Sequence, residues 1–339
     1  ITAVSTFTSY LLRIGGGLLS ERYARNKPFL IAGYGISAVA KPLFAFSGGW
    51  VSVAGLRAFE RLGKAVRAAP KDRLISQSAP KGKTGRSFGL HKMLDVTGEM
   101  GGMVVTLLIL TVFGSSESVF RNMFRLSLIP GVVALLILLL AVQDVTSTKK
   151  SKRTRFAVER PLLQPMLLFV AFSIFMFSEP FFVLRAEESG IVISGILLLL
   201  ISMKLTQILL SYRVGMLLDQ NEPQRLLSVG YGLGVLSLLS LLLSGTAVML
   251  LGFVLYGAHV VIILNGIRTI IGREAEDKGA VFGLFYLLYA LGSAAGALII
   301  GFLWQWLGVG VALTFSAAGA AVVLGCHILL LYRPRPSKN

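Results

Sequence analysis

The chain has one cysteine and three histidines in 339 residues, and both shortages exclude kinds of site. Cys326 has no second cysteine with which to form a disulfide or a Cys-based metal centre. His91, His259 and His327 are too dispersed to indicate a metal site by their spacing. The G-x-x-x-x-G-K-S/T phosphate loop and the H-E-x-x-H helix are also missing. The sequence therefore indicates neither metal catalysis nor direct use of ATP, and we expect no cofactor.

Charged residues are scarce as well, at 14% of the chain, whereas hydrophobic residues make up 55% and the mean hydropathy is +0.76. An apolar helix needs about 20 residues to cross ~30 Å of hydrocarbon. The predicted spans are 1–20, 28–47, 50–70, 87–113, 122–143, 162–184, 191–212, 225–244, 247–270, 280–304 and 309–332. The composition and these spans predict an all-α integral membrane protein.

Acidic residues are fewer than basic ones, 16 against 33, which gives a net charge of +17. When the spans alternate in direction, the basic segments 22–27, 71–86, 149–160 and 333–338 all fall on one side. The positive-inside rule makes that side cytoplasmic, so residue 1 lies outside and the C-terminus lies in the cytoplasm. We expect a bacterial cytoplasmic (inner) membrane and no nucleic-acid partner, because the basic groups are spread over loops without interleaved aromatic residues.

An internal repeat divides the chain. The residues Phe88, Gly89, Leu90, Leu94, Gly98 and Gly102 recur 194 positions later as Phe282, Gly283, Leu284, Leu288, Gly292 and Gly296. A polar, basic segment lies between the copies. We therefore predict an N-terminal bundle over 1–143, a cytoplasmic linker over 144–161, a C-terminal bundle over 162–332 and a cytoplasmic tail over 333–339. Two pseudo-symmetric bundles of this kind are typical of secondary transporters.

A second repeated pattern carries a family resemblance. Gly17-x-Leu19-x-Glu21 recurs as Gly215-x-Leu217-x-Asp219, and the stretch 17–27 resembles the loop between the second and third helices of the major facilitator superfamily. Glu21 stands where that family usually has Asp. Five spans precede the linker and six follow it, so the chain resembles a family member that begins at the second helix. Because Ile1 lies inside an apolar span, we expect one further helix before it, to give six plus six.

The resemblance implies that residues 17–27, here called the gating loop, open and close the cytoplasmic side. Its candidate residues are Gly17, Glu21, Arg22 and Arg25, with Asp219 as the counterpart in the second half. The acidic group would pair with a nearby arginine or with the amide end of a neighbouring helix in the same half. The alternative is that these residues only end the helix and fix its orientation.

Ionisable residues inside the spans are the candidate substrate or proton pathway. Arg57, Glu60, Arg61 and Lys64 form one stripe along the span at 50–70, and His91, Asp95 and Glu99 follow a four-residue spacing on the next span. Either these residues bind solute and carry protons, or they neutralise one another as static pairs across the two helices.

The stretch 61–72 also resembles a G-K-G-x-R-x-x-P-R-D pattern found in some bacterial family members, and Arg57 resembles the family's intramembrane arginine on this helix. Arg67, Lys71 and Asp72 lie nearer the cytoplasmic end of the span, and we expect their side chains to extend to the membrane surface.

We therefore predict a secondary active transporter, acting as a monomer, that moves a small solute by alternating access. Protons are the expected coupling ion, and the excess of basic groups favours an anionic organic solute. Two alternatives stay open, a facilitator without coupling and a non-transporting membrane receptor or scaffold. An integral-membrane enzyme is the reading that the sequence favours least.

Overall fold

A computed structural model describes residues 25–145, 160–243 and 245–332, and all regular elements in these ranges are helices. The helices are α1 Lys27–Leu43, α2 Trp50–Ser78, α3 Thr84–Phe113, α4 Glu117–Leu126, α5 Leu128–Ala141, α6 Arg160–Phe175, α7 Glu179–Glu188, α8 Ile193–Gln220, α9 Pro223–Leu242, α10 Thr246–Glu274, α11 Lys278–Leu307 and α12 Val309–Tyr332. A 3-10 turn, Phe44–Phe46, follows α1.

Within the described ranges, nine helical segments are long and apolar enough to cross a membrane. They coincide with the predicted spans from 28–47 and from 87–113 onward, so the all-α membrane fold is confirmed. The predicted span 1–20 lies outside the described residues. The predicted span 50–70 forms α2, whose 29 residues measure about 44 Å. Its charged stripe makes α2 less apolar than the nine membrane-crossing segments.

One predicted span is discontinuous. The sequence suggested a single helix over 162–184, but the chain forms α6, leaves the helix after Phe175, and begins α7 at Glu179. Pro180 favours the new start, because proline is preferred in the first turn of a helix, where its missing N–H costs no hydrogen bond. The break places a carboxylate, Glu179, at the first position of a helix inside the membrane span.

The described residues form two compact units. The first contains 25–79, 99–145 and 271–290. Within it, α1 and α2 cross with their backbones in contact, because a Cβ on Gly33 would lie 2.6 Å from the carbonyl oxygen of Gly63, and a Cβ on Gly63 would lie 2.7 Å from that of Gly33. Small residues at a crossing allow this approach in a membrane. Gly63 belongs to the glycine-lysine pattern found in the sequence, so its role there is packing.

The second unit contains 80–98, 160–243, 245–270 and 291–332. The start of α3 packs against α8 here, since a Cβ on Gly85 would lie 2.7 Å from the carbonyl oxygen of Gly215. Gly292 and Gly296 of α11 approach Ser173 and Ile174 of α6 in the same way. Glycine thus sets the spacing of two helix pairs in this unit.

Candidate functional site

The basic stripe of α2 contains one ion pair that stays on its own helix. Lys64 Nζ lies 3.0 Å from Glu60 Oε1, and the two side chains are 49% and 19% exposed. The sequence offered Asp95 or Glu99 as the partner of Lys64, and the structure gives it Glu60 instead, one turn away. A pair in this position contributes only a few tenths of a kcal/mol to helix stability.

A cavity of about 580 Å³ opens beside this stripe within the first unit. Three charged residues line it, Lys41 of α1 and Arg57 and Glu60 of α2. The remaining wall is mostly apolar and aromatic, and Phe44 and Phe124 stack there with their ring centres 5.4 Å apart. Neither Lys41 nor Arg57 forms an ion pair with a carboxylate in the described part of the chain. The cavity therefore presents two positive charges and one carboxylate in a surface that is otherwise mostly apolar.

Arg121 of α4 connects α4 to the turn after α1 at the edge of this cavity. Its guanidinium donates hydrogen bonds to the backbone oxygens of Ala45 at 2.5 Å and Ser47 at 3.2 Å, and it pairs with Glu117 at 2.8 Å. The turn after α1 is thereby held against α4, which fixes the position of the aromatic residues in the wall.

The three candidates on α3 share a face. His91, Asp95 and Glu99 follow one another by one helical turn, and the two acids are exposed although α3 is a membrane span. A carboxylate in such a span is costly unless it is paired or faces water. Their roles in a proton or solute pathway stay predictions. Arg61 of α2 is half-buried.

Most of the gating loop falls outside the described residues, including Gly17, Glu21 and Arg22. Arg25 is described and exposed, at the start of α1, beside a hollow that Lys27 and Asp144 also line. The carboxylate of Asp144 accepts hydrogen bonds from the backbone amides of Asn26 and Lys27 at 3.1 Å. The first residue of the predicted linker therefore caps a helix.

Asp219, the counterpart in the second half, has a side chain that is 3% exposed and binds the start of another helix. Its carboxylate accepts hydrogen bonds from the backbone amides of Gly85 at 2.7 Å and Arg86 at 2.9 Å, and the Arg86 Nε lies 3.7 Å away. The expectation of a partner helix in the same half was wrong for Asp219, because α3 belongs to the other half of the chain. The free amides at the start of α3 explain the choice, since a helix N-terminus attracts an anion.

A buried polar cluster near the predicted cytoplasmic end of α2 was missed by the sequence analysis. Asp72 and Arg73 are 0% and 1% exposed. The hydroxyl of Tyr286 donates a hydrogen bond to the carboxylate of Asp72, and Arg73 donates to the side chain of Asn26 at 3.2 Å. The expectation that Asp72 extends to the membrane surface was wrong, because Tyr286 of α11 supplies a partner inside the protein.

Arg67 and Lys71, which were also expected to extend to the membrane surface, make different contacts. Arg67 lies over the ring of Tyr34, 3.9 Å from its centre, which is a cation–π contact within the bundle. Lys71 lies 3.9 Å from Asp72 with a side chain that is 24% exposed. The sequence did contain a signal for the buried cluster. It is the run Lys71-Asp72-Arg73, at the end of the glycine-lysine pattern over 61–72.

Two further intramembrane groups pair across helices in the second unit. Lys204 of α8 lies 3.0 Å from Glu179 at the start of α7. His259 of α10 is buried and its Nδ1 donates to the carbonyl oxygen of Gly230 on α9 at 2.8 Å. His259 therefore joins two helices. Within the described ranges, no group of three or more His, Cys, Asp or Glu residues is arranged to hold a metal ion.

These helices and the charged groups inside them define a multi-pass membrane protein of the transporter class. A sequence model of the Major Facilitator Superfamily matches residues 1–297, and the chain belongs to this family. An uncharacterized MFS-type transporter of Methanocaldococcus jannaschii is 28% identical over 338 residues, which cover 96% of this chain and 83% of the relative.

Solved structures have the same fold at low sequence identity. The human organic anion transporter MFSD10 (TETRAN) superimposes with a TM-score of 0.79 at 13% identity, over 96% of this chain and 82% of that one. The Escherichia coli fucose:proton symporter FucP superimposes with a TM-score of 0.76 at 15% identity, over 98% and 90%. Identities this low establish the likeness of the fold alone.

Proposed function

We propose that this transporter moves a small anionic organic solute across the cytoplasmic membrane by alternating access, coupled to protons. The residues 1–143 and 162–332 form the two bundles in this account, with 144–161 between them and the C-terminus in the cytoplasm. The observation that carries the proposal is the cavity lined by Lys41, Arg57 and Glu60. Among the described residues, Lys41 and Arg57 form no ion pair with a carboxylate, so they suit a solute that brings its own negative charge.

The carboxylates on α3 support proton coupling. Asp95 and Glu99 lie in a span where an unpaired charge costs at least ~2.5–3.5 kcal/mol, so an acid there is paired, faces water or carries a proton. Coupling of this kind needs an acid that is charged in one state of the cycle and neutral in another. The two proteins of similar fold, an organic anion transporter and a fucose:proton symporter, fit this pairing of solute and ion.

The contact at Asp219 supports alternating access. It ties α8 to the start of α3 through two backbone hydrogen bonds and can be released without unfolding either helix. The gating loop would make the equivalent contact in the first half, with Glu21 in the place of Asp219 and Arg22 and Arg25 beside it. In this account, breaking both contacts opens the cytoplasmic side.

Flux in proteoliposomes tests the proposal. Purified full chain is reconstituted, and uptake of radiolabelled organic anions, cations and neutral metabolites is measured with and without an inward proton gradient. We expect the anions to enter, faster under the gradient, and Asp95→Asn or Glu99→Gln to reduce that acceleration. Arg225→Gln is the control, because Arg225 forms an exposed surface pair with Glu222.

The alternatives give different results in the same assay. A facilitator moves solute at a rate that ignores the proton gradient and both carboxylate variants. A receptor or scaffold binds solute without flux. Equal uptake of cations and anions would contradict the anionic solute.

A further inference from the structure

The second half of the chain contains a charge pair that the proposed function does not use. Lys204 Nζ lies 3.0 Å from Glu179 Oε2, and the two partners differ sharply in exposure. The lysine side chain is 7% exposed, whereas the glutamate side chain is 41% exposed. An ammonium group inside a membrane span must have its charge compensated. The carboxylate that provides compensation here is the partner that stays accessible.

The depth of the pair in the membrane suits a transport site. At about 1.5 Å per residue, Lys204 lies roughly 17 Å along α8 from Ile193, and Glu179 lies roughly 14 Å along α7 from Glu188. Both starting points are on the outer side by the positive-inside rule, so both groups lie near the middle of a ~30 Å hydrocarbon core. Glu179 also directly follows the helix break, and discontinuous helices at mid-membrane form binding sites in secondary transporters.

The backbone next to Lys204 is in close contact with another helix. A Cβ on Gly257 of α10 would lie 2.7 Å from the carbonyl oxygen of Met203, so α8 and α10 are in backbone contact one residue before Lys204. Gln207, one turn further along α8, is buried as well. The lysine side chain therefore extends from a stretch of backbone that packing holds in place.

Several other polar groups on the neighbouring helices have partners of their own. Arg185 of α7 donates to the carbonyl oxygen of Leu241 at 3.0 Å. Glu188 of α7 accepts from the indole of Trp304 on α11 at 2.7 Å. His259 of α10 donates to Gly230 of α9, and Tyr256 of α10 packs its ring on Phe182 at 4.3 Å. Glu179 is thus the acid that the structure pairs with Lys204.

We propose that Lys204 binds the carboxylate of the transported solute, and that Glu179 is the internal counter-ion that this carboxylate displaces. The inference rests on the proposed function and adds a binding residue in the second half. Two carboxylates at one ammonium repel each other, so a solute anion binds when Glu179 has taken up a proton. One solute carboxylate then binds with one proton, and the net charge of the site does not change.

Calorimetric binding to the purified full chain tests this inference without any flux. The probes are benzoate, acetate and succinate, with neutral benzamide as the counterpart of benzoate. We expect benzoate to bind at least about tenfold more tightly at about pH 5.5 than at about pH 8, because uptake of one proton with each anion makes the affinity depend on pH. Titration in two buffers of different ionisation enthalpy should give uptake of about one proton per bound anion at the higher pH.

Variants separate the two residues. Glu179→Gln should bind benzoate equally at both pH values and without proton uptake, because the amide resembles the protonated acid. Lys204→Gln should lose carboxylate binding but keep benzamide binding, which excludes a folding defect as the cause, and Lys204→Arg should keep both. Glu187→Gln, an exposed acid on the same helix, is the matched control. Benzamide binding should be the same in all four.

Two binding results would overturn the inference. One is that none of the three carboxylates binds in a way that depends on Lys204, and the other is that Glu179→Gln keeps the pH dependence of the wild type. Failure of the proposed function gives a different pattern, namely Lys204-dependent binding without flux in proteoliposomes. Flux that is unchanged in Lys204→Gln would refute the binding role and leave transport intact.

Discussion

The carboxylate of Asp219 accepts a hydrogen bond from the backbone amide of Gly85 at 2.7 Å, across a separation of 134 positions in the chain. Both residues lie where two helices touch, because a Cβ on Gly215 would come within 2.5 Å of the Gly85 carbonyl oxygen. The acid and the glycines therefore act together. The glycines permit the approach of α3 and α8, and Asp219 satisfies the amides that the approach would otherwise bury.

Removal of this carboxylate should weaken the contact measurably. We expect Asp219→Ala to lower the free energy of unfolding by about 0.5–2 kcal/mol, the range for loss of a helix cap. Thermal unfolding of the purified protein measures the effect. Glu222→Ala is the control, since Glu222 takes part only in an exposed pair with Arg225. Equal stability of the two variants would contradict a capping role for Asp219.

A methyl group at the crossing should also be destabilising. Gly215→Ala gains helix propensity, worth up to ~1 kcal/mol, but the new Cβ meets backbone that cannot turn away, and overpacking typically costs about 1–3 kcal/mol. We expect a net loss of stability in thermal unfolding. Gly232→Ala on α9 is the matched control, because a Cβ there meets nothing within 4 Å. A Gly215→Ala protein as stable as this control would show that the close approach is absent.

The buried hydroxyl of Tyr286 should matter through Asp72. Tyr286→Phe leaves the carboxylate of Asp72 buried with one donor fewer, and we expect a loss of about 1–3 kcal/mol in the free energy of unfolding. Tyr34→Phe is the control, since Tyr34 contributes its ring to the contact with Arg67 and keeps it in the variant. Equal stability of the two variants would show that the hydrogen bond to Asp72 does not stabilise the fold.

The cation Arg57 should set the affinity for solute. Arg57→Gln keeps a polar side chain in the cavity but removes its charge, so we expect the half-saturation concentration for an anionic solute to rise at least about tenfold. Initial rates of uptake in proteoliposomes measure this. Uptake of a neutral solute of the same size should be unaffected. A similar change for both solutes would assign Arg57 a packing role.

The sequence predicted the membrane spans well because length and hydropathy decide them locally. It also identified Asp219 through the repeat, since a residue pattern shared by two halves is visible without coordinates. The partner of Asp219 could not be predicted from the sequence, because Gly85 contributes a backbone amide and any residue could supply one. For this reason the helix in the other half was not foreseen.

Pairs that depend on tertiary packing were the hardest to predict. Asp72 lies beside lysine and arginine in the sequence, which suggested a solvated end of a helix, and its burial depends on Tyr286 more than 200 positions away. Lys204 and Glu179 lie in separate apolar spans, and no spacing in the sequence links them. The break before Glu179 brings this acid to the start of α7, and the break follows from Pro180 together with packing that the pattern of apolar residues does not contain.

Proton movement driven by solute tests the central claim most directly. Proteoliposomes in weakly buffered medium receive a pulse of organic anion with no imposed proton gradient, and the external pH is recorded. We predict alkalinisation that follows anion entry, disappears with a protonophore and is absent when a neutral amide replaces the anion. Anion entry with no change in external pH would contradict the account and identify an uncoupled facilitator.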